Sequence, residues 1–199
     1  MRTNSSWQFV AVACMMALMY TLFQVSAWAT SIQVLSLEKL TQNSSDVIQG
    51  KVIKIESFWN KRRTAIYTRV TVSRGEVLKG SVPSEVAVFL PGGTVGGRTT
   101  MVIGAPEFKH GQEVVLFLSR ATDYKEEVEL PTPVVPFHLT DLFQGKFDVM
   151  IDPATGQKKA VSNAVKLIYQ PGVKPEMLPP GGLKGLPLTD LVTRIRQVR

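Results

Sequence analysis

Hydrophobic and polar positions alternate most cleanly over residues 66–73, where Ile66, Thr68, Val70 and Val72 interleave with Tyr67, Arg69, Thr71 and Ser73. A period of two over eight residues predicts a half-buried strand, because successive strand side chains point to opposite faces. Upstream, Asp46–Trp59 is rich in β-branched residues (Val47, Val52, Ile53, Ile55) with partial alternation, and Asn60-Lys61-Arg62-Arg63 is a turn. The two segments, Asp46–Trp59 and Thr64–Leu78, predict a long antiparallel hairpin. A turn at 79–83 leads to a third strand, Glu85–Leu90, with Val86, Val88 and Leu90 on one face. Pro91–Gly97 reads as a long glycine-rich loop and Thr99–Ile103 as a short extended piece. Glu113–Ser119 is nearly continuously apolar, the pattern of a central strand buried on both faces. Phe147–Ile151 and Lys158–Val161 flank the turn signal Asp152-Pro153-Ala154-Thr155-Gly156.

Helical signals sit at the two ends of this β-rich region. Residues 35–45 predict a short helix, with Ser36 as N-cap, Leu37 and Leu40 on a shared face, and Asn43-Ser44-Ser45 as its end. Leu188, Leu191, Val192 and Ile195 form an apolar stripe at helical spacing; Thr189 is a candidate cap, and Arg194, Arg196 and Arg199 complement the C-terminal dipole. Between the strands and this helix, residues 122–129 are polar and acidic, and Pro131, Pro133 and Pro136 exclude a helix there. Residues 171–187 read as an irregular Pro/Gly linker.

The N-terminal segment belongs to a different class. Arg2 supplies a positive start, Trp7–Val25 contains no charged residue, and Ala27 and Ala29 have the small–x–small spacing of a signal-peptidase site. Cleavage after Ala29 is expected. This gives residues 1–29 as signal peptide, 30–170 as a β domain with a hairpin extension, and 171–199 as linker and terminal helix. Two other readings of the segment stay open: an uncleaved inner-membrane anchor over residues 7–25, and lipid attachment at Cys14. The mature chain would have about 170 residues, a one-domain size. Cys14 is the only cysteine, so cleavage leaves no disulfide and no thiolate chemistry. That pattern favours a bacterial periplasmic or secreted protein.

Six pieces of the chain resemble an uncharacterised family of exported bacterial proteins: Leu35–Leu40, Ser45–Val52 (S-D-V-I-Q-G-K-V), Gly75–Gly80 (G-E-V-L-K-G), Leu90–Gly93, Gly111–Leu118 (G-Q-E-V-V-L-F-L) and Gln144–Phe147. The order of the pieces from residue 35 to 118 is also similar, topologically, to the netrin-like module of tissue metalloproteinase inhibitors. The resemblance implies a small antiparallel OB-like barrel with a short N-terminal helix and a C-terminal helix. It does not carry the inhibitory mechanism, which uses an N-terminal cysteine that the mature chain lacks.

The formal charge of +7 favours anionic partners. Lys61-Arg62-Arg63 is the only basic run, and Trp59 and Tyr67 lie beside it, the combination with which OB barrels hold polymers. The glycine-rich segment Gly92, Gly93, Gly96, Gly97, with Arg98, offers close backbone approach to a partner. Catalytic signatures are weak. His110 and His138 are the only histidines, without an H-E-x-x-H or a G-x-S-x-G, and the glycine loop lacks the Lys-Ser/Thr of a phosphate loop. Glu126, Glu127 and Glu129 read as a solvated face, and no cofactor motif is present.

The expectation is an exported, non-enzymatic binding module of the cell envelope whose partner is a protein or an anionic envelope polymer. Nucleic acid is not expected, and membrane contact arises only through an uncleaved signal segment. The rival readings are an exported hydrolase using His110 or His138 and an anchored envelope structural protein. Intact-mass analysis of the chain recovered from a secreting host is expected to place the mature N-terminus at Thr30. A chain that keeps Met1 would identify an anchor instead.

Overall fold

The computed structural model describes residues 15–16, 34–121, 135–164 and 179–198. The chain divides into two units, Met1–Ile32 and Gln33–Arg199. Of the first, Met15 and Met16 are described, both helical and exposed. Cys14, the expected cleavage residues Ala27 and Ala29, the acidic stretch 122–129, Pro131, Pro133 and residues 171–178 lie outside the described residues. Among the described residues no helix is long and apolar enough to cross a membrane.

The second unit begins with α1 (Leu37–Asn43), capped as expected by Ser36, whose Oγ accepts the Lys39 N–H at 3.2 Å. β1 (Asp46–Trp59) and β2 (Ile66–Lys79) form the long antiparallel hairpin, paired from Val47 opposite Lys79 to Trp59 opposite Ile66 with register shifts after Val47, Gln49 and Val52. β3 (Glu85–Pro91) extends it on the β2 side. The segment expected as a glycine-rich loop instead forms a small hairpin, β4 (Gly93–Val95) with β5 (Arg98–Thr100), turning at Gly96-Gly97. β6 (Glu113–Arg120) pairs with β1 over Asp46–Lys51, with β7 (Pro136–Leu139), and with β8 (Lys146–Ile151). β9 (Lys158–Ser162) and the two-residue β10 (Leu186–Pro187) extend the sheet from β8. α2 (Leu188–Gln197) closes the described chain.

Following the paired neighbours from β1 through β2, β3, β7 and β6 leads back to β1. The sheet is not purely antiparallel, as had been expected. Ala87 and Val88 of β3 pair with Pro136 and Phe137 of β7 in parallel. The physical reason is the connection: three further strands lie between β3 and β7, enough chain to return in the same direction. β7 itself was not predicted. A second correction concerns α2. It starts at Leu188 after Pro187, without a side-chain cap, and Thr189 lies inside its first turn. The pairing of Leu186-Pro187 with Lys159-Ala160 sets the helix start directly.

Two apolar layers account for the continuous run in β6. Val114, Leu116 and Leu118 pack with Ile48, Val70, Val88 and Phe137 on one side. Val115 and Phe117 pack with Leu37, Leu40, Phe147, Leu191 and Ile195 on the other, under the two helices. All five β6 residues are fully buried, each contributing about 1.5–3 kcal/mol by transfer from water.

Polar contacts fix the entry to β1. Asp46 is fully buried; its carboxylate accepts from the Ser81 N–H at 2.9 Å and the Ser45 hydroxyl at 2.7 Å, and pairs with Arg120 at 3.5 Å. Lys79 Nζ donates to the Thr41 and Ser44 carbonyls at 2.7 and 2.8 Å, capping the C-terminal end of α1. Gly80, at φ +80°, leaves no room for a Cβ, which would stand 2.2 Å from Asp46 Oδ1. Gly96, at φ +57°, faces open space. Gly80→Ala is therefore expected to cost more than about 3 kcal/mol and Gly96→Ala about 1 kcal/mol in urea unfolding. Equal costs would contradict the packing around Asp46.

Candidate functional site

A single asparagine organises the turn that carries the basic run. Asn60 is buried; its Oδ1 accepts the Thr64 and Ala65 N–H groups at 2.8 and 3.2 Å, and its Nδ2 donates to Thr64 Oγ1 at 2.9 Å. Its backbone N–H donates to the Ala65 carbonyl at 2.8 Å, and its carbonyl accepts from Arg63 N–H at 2.9 Å. Arg63 sits at φ +55°, a left-handed conformation that costs a non-glycine residue about 1 kcal/mol or more. The turn is thus held by its own hydrogen bonds, with Lys61, Arg62 and Arg63 exposed on it.

On the outer face of the hairpin, Phe58 stacks on Tyr67 (centroids 6.5 Å apart) and meets Phe89 of β3 edge-on at 6.1 Å. Arg69, opposite both Glu56 and Phe89 in the sheet, donates to Glu56 at 2.5 Å, while its buried Nε has no hydrogen-bond partner. The Arg69 guanidinium, with Lys54 acting in the same direction, holds the Glu56 carboxyl below the usual carboxylate range. Glu56, Phe58, Arg69 and Phe89, with Trp59, Lys61 and Arg63, line a cleft of about 480 Å³. Its chemistry is that of a binding surface: aromatic faces, guanidinium and ammonium groups, and one carboxylate already engaged. The Ser57 hydroxyl, turned to the other face, is hydrogen-bonded to Thr68 at 2.9 Å.

Gly92 and Gly93 lie on the opposite face. Alternation along β1 and β2 sends Glu56, Phe58, Tyr67 and Arg69 one way and Ile55, Ser57, Thr68 and Val70 the other. Gly93 packs against the hydroxyls of Ser57 and Thr68, where a Cβ would meet both at 2.4 Å, and the Thr68 hydroxyl donates to the Gly92 carbonyl at 2.8 Å. A second, apolar cleft of about 620 Å³ opens there, bordered by Ile55, Val70 and the 99–108 segment. Met101 and Ile103 stand 85% and 91% exposed on its rim.

The structure therefore brings Trp59, Lys61 and Arg63 to one cleft, with Tyr67 outside its lining and stacked on Phe58. It puts Gly92 and Gly93 in the other cleft, and Gly96, Gly97 and Arg98 at the exposed tip of the β4–β5 hairpin. Arg62 is exposed on the turn and lines neither cleft. Phe58, Arg69 and Phe89 were missed, because their convergence depends on cross-strand register. Met101 and Ile103 carried the visible signal of apolar residues in a polar, glycine-rich stretch. His110 is exposed in a turn, His138 lies in β7 opposite Ser119, and among the described residues no three metal-ligating side chains converge. No protein-family model and no curated protein matches the chain.

A folded-state carboxyl with a depressed pKa adds stability above its unfolded value and loses it as pH falls through the folded one. The Glu56–Arg69 pair is partly exposed, so its worth at neutral pH is below about 1 kcal/mol. The stability difference between the native chain and Glu56→Gln is expected to be present at neutral pH. It should begin to shrink as pH falls below about 4.3 and be lost once the folded carboxyl is itself protonated. A difference that does not vary with pH in urea titrations would remove the ion pair from the account.

Proposed function

We propose that the chain is an exported, non-enzymatic binding module whose circuit of five strands is an OB-type barrel, and that its ligand surface is the aromatic and basic cleft at the hairpin end. The ligand class is an anionic macromolecule of the cell envelope or of the exported space. The observation that carries this reading is the convergence of Phe58, Trp59 and Phe89 with Lys61, Arg63 and Arg69 around one cleft. The segment 54–69 holds five basic side chains and one acidic one, a denser positive field than the chain average.

Two further features support it. The circuit β1–β2–β3–β7–β6, with the parallel β3–β7 pair, is compatible with the OB arrangement, in which the face of the second and third strands and the loop joining the first two take oligomeric ligands. The cleft occupies that position. The turn is also held in shape by Asn60, which lowers the ordering cost of binding. The Ala27–Ala29 motif supports export to the periplasm or beyond. A hydrolase reading draws no support from the placement of His110 and His138.

Cleavage after Ala29 would leave Trp59 as the only tryptophan, since the others are Trp7 and Trp28. Its fluorescence is then a direct reporter of the cleft. Heparin, as an anionic polymer probe, is expected to shift that emission with an affinity that weakens as salt rises, while neutral dextran does nothing. Replacing Lys61 and Arg63 together by Ala should weaken heparin about tenfold. An unchanged titration, or turnover of a substrate lost with His110→Ala or His138→Ala, would sink the proposal.

A further inference from the structure

The hairpin end also exposes the backbone of β1. Pairing of β1 with β6 stops at Lys51; the last contacts on that edge are Val52 N–H to Gln112 C=O and Gly111 N–H to Val52 C=O, at 2.9 and 2.8 Å. Ile53 is a bulge: Val52 faces Val72 and Lys54 faces Thr71, so Ile53 has no partner. Beyond it, among the described strands, β1 pairs with β2 alone.

The phase of the ladder says which groups face outward. Asn60 N–H donates to Ala65 C=O, and hydrogen-bonded and non-hydrogen-bonded pairs alternate in an antiparallel ladder. Trp59–Ile66, Ser57–Thr68 and Ile55–Val70 are therefore the non-hydrogen-bonded pairs. The Ile66 carbonyl agrees, since it turns toward β3 and accepts Gly92 N–H at 2.8 Å. It follows that the N–H and C=O groups of Ile55, Ser57 and Trp59 all point away from β2, along an edge that no described strand pairs.

We infer that this edge, Lys54–Trp59, accepts an extended segment of a partner protein as an added strand, and that the segment alternates acidic with apolar side chains. The alternation follows from the two clefts. A strand laid against β1 sends every second side chain to the outer face, toward Arg69, Lys61 and Arg63, and the others to the opposite face, toward Ile55, Met101 and Ile103. Charge complementarity selects acids for the first set and exposed apolar surface selects aliphatic or aromatic residues for the second. This inference rests on the binding-module reading and narrows its ligand from any anionic macromolecule to a protein strand.

The test uses synthetic peptides of about six residues. One alternates Glu with Val or Phe, one has the same composition with its acids in a block, and two copies of the first are N-methylated on one edge or the other. Read by Trp59 fluorescence, the alternating peptide is expected to bind at least about tenfold more tightly than the block peptide. N-methylation of the amides facing β1 should lose that advantage, and methylation of the other edge should not. Ser57→Pro removes an outward N–H without touching the β1–β2 ladder, and should abolish peptide binding with the fold intact by circular dichroism. Equal affinity for both peptides, or loss on methylating either edge, overturns strand addition; heparin binding in that case leaves the module reading standing. Binding of neither heparin nor peptide removes both. Concentration-dependent dimers dispersed by the peptide would make a second copy the occupant and overturn the inference.

Discussion

β1 is paired on both edges from Val47 to Lys51, and the rest of the architecture depends on that double pairing and on where it ends. While it lasts, β6 is held against β1 and the circuit of strands returns on itself. Each backbone bond contributes only about 1 kcal/mol net, so the pairing specifies position more than it supplies stability. The stability comes from what the pairing places: five consecutive buried side chains of β6, serving two apolar layers at once. At Ile53 one unpaired residue shifts the phase of β1. Ile48 and Val52 face the inner layer before it, and Ile55 and Ser57 take over that side after it. The same bulge separates β1 from β6, so a scaffold strand becomes an open platform.

The bulge also explains what could and could not be read in the sequence. The long hairpin was legible, its limits within two residues, because β2 alternates without interruption from Ile66 to Ser73. β1 alternated only partly because Ile53 breaks its period, so Val52, Ile53 and Ile55 cannot be assigned to one face by counting. β6 was legible because burial on both sides leaves no polar position in its middle. β7 was not: Pro136-Phe137-His138-Leu139 opens on a proline and is held by pairing to β6 and a two-residue parallel contact with β3, both distant in sequence. β4 and β5 are three residues each with Val95 as their one apolar side chain, and no hydrophobic period marks them.

For the candidate site, local adjacency was enough to find Trp59, Lys61 and Arg63, since Trp59 ends β1 and the other two lie on the turn that follows it. It could not find Arg69 or Phe89. Those reach the same cleft through the pairing of Glu56 with Arg69 and of Arg69 with Phe89, and the first register is displaced by the bulge. Nor could it separate the glycines from the basic turn. The face that Gly92 and Gly93 occupy is fixed by Ser57 and Thr68, whose hydroxyls touch them directly.

Most of the short sequence motifs singled out above have a task internal to the fold. Asp46 holds Ser81 and Arg120, and Gly50 passes so close to β2 that a Cβ would lie 2.6 Å from the Ser73 carbonyl. Lys79 caps α1, and Gly80 leaves space for Asp46. Gln144 accepts the Leu35 N–H at 2.8 Å, and Gly145 fits against Thr140 and Phe117 carbonyls where a Cβ would clash. Lys146 is buried with its ammonium on Asp148 and 4.8 Å from the Phe108 ring centre, while Phe147 packs on Phe117. Such residues describe a frame. The segment from Ile53 to Arg74, with the basic turn, the open edge and Arg69, falls in the gap between two of these motifs. The exposed Met101 and Ile103 fall in another. Most of these motif residues are consumed in holding the strands, and the basic turn and the open edge lie between them, while Leu90–Gly93 borders the second cleft.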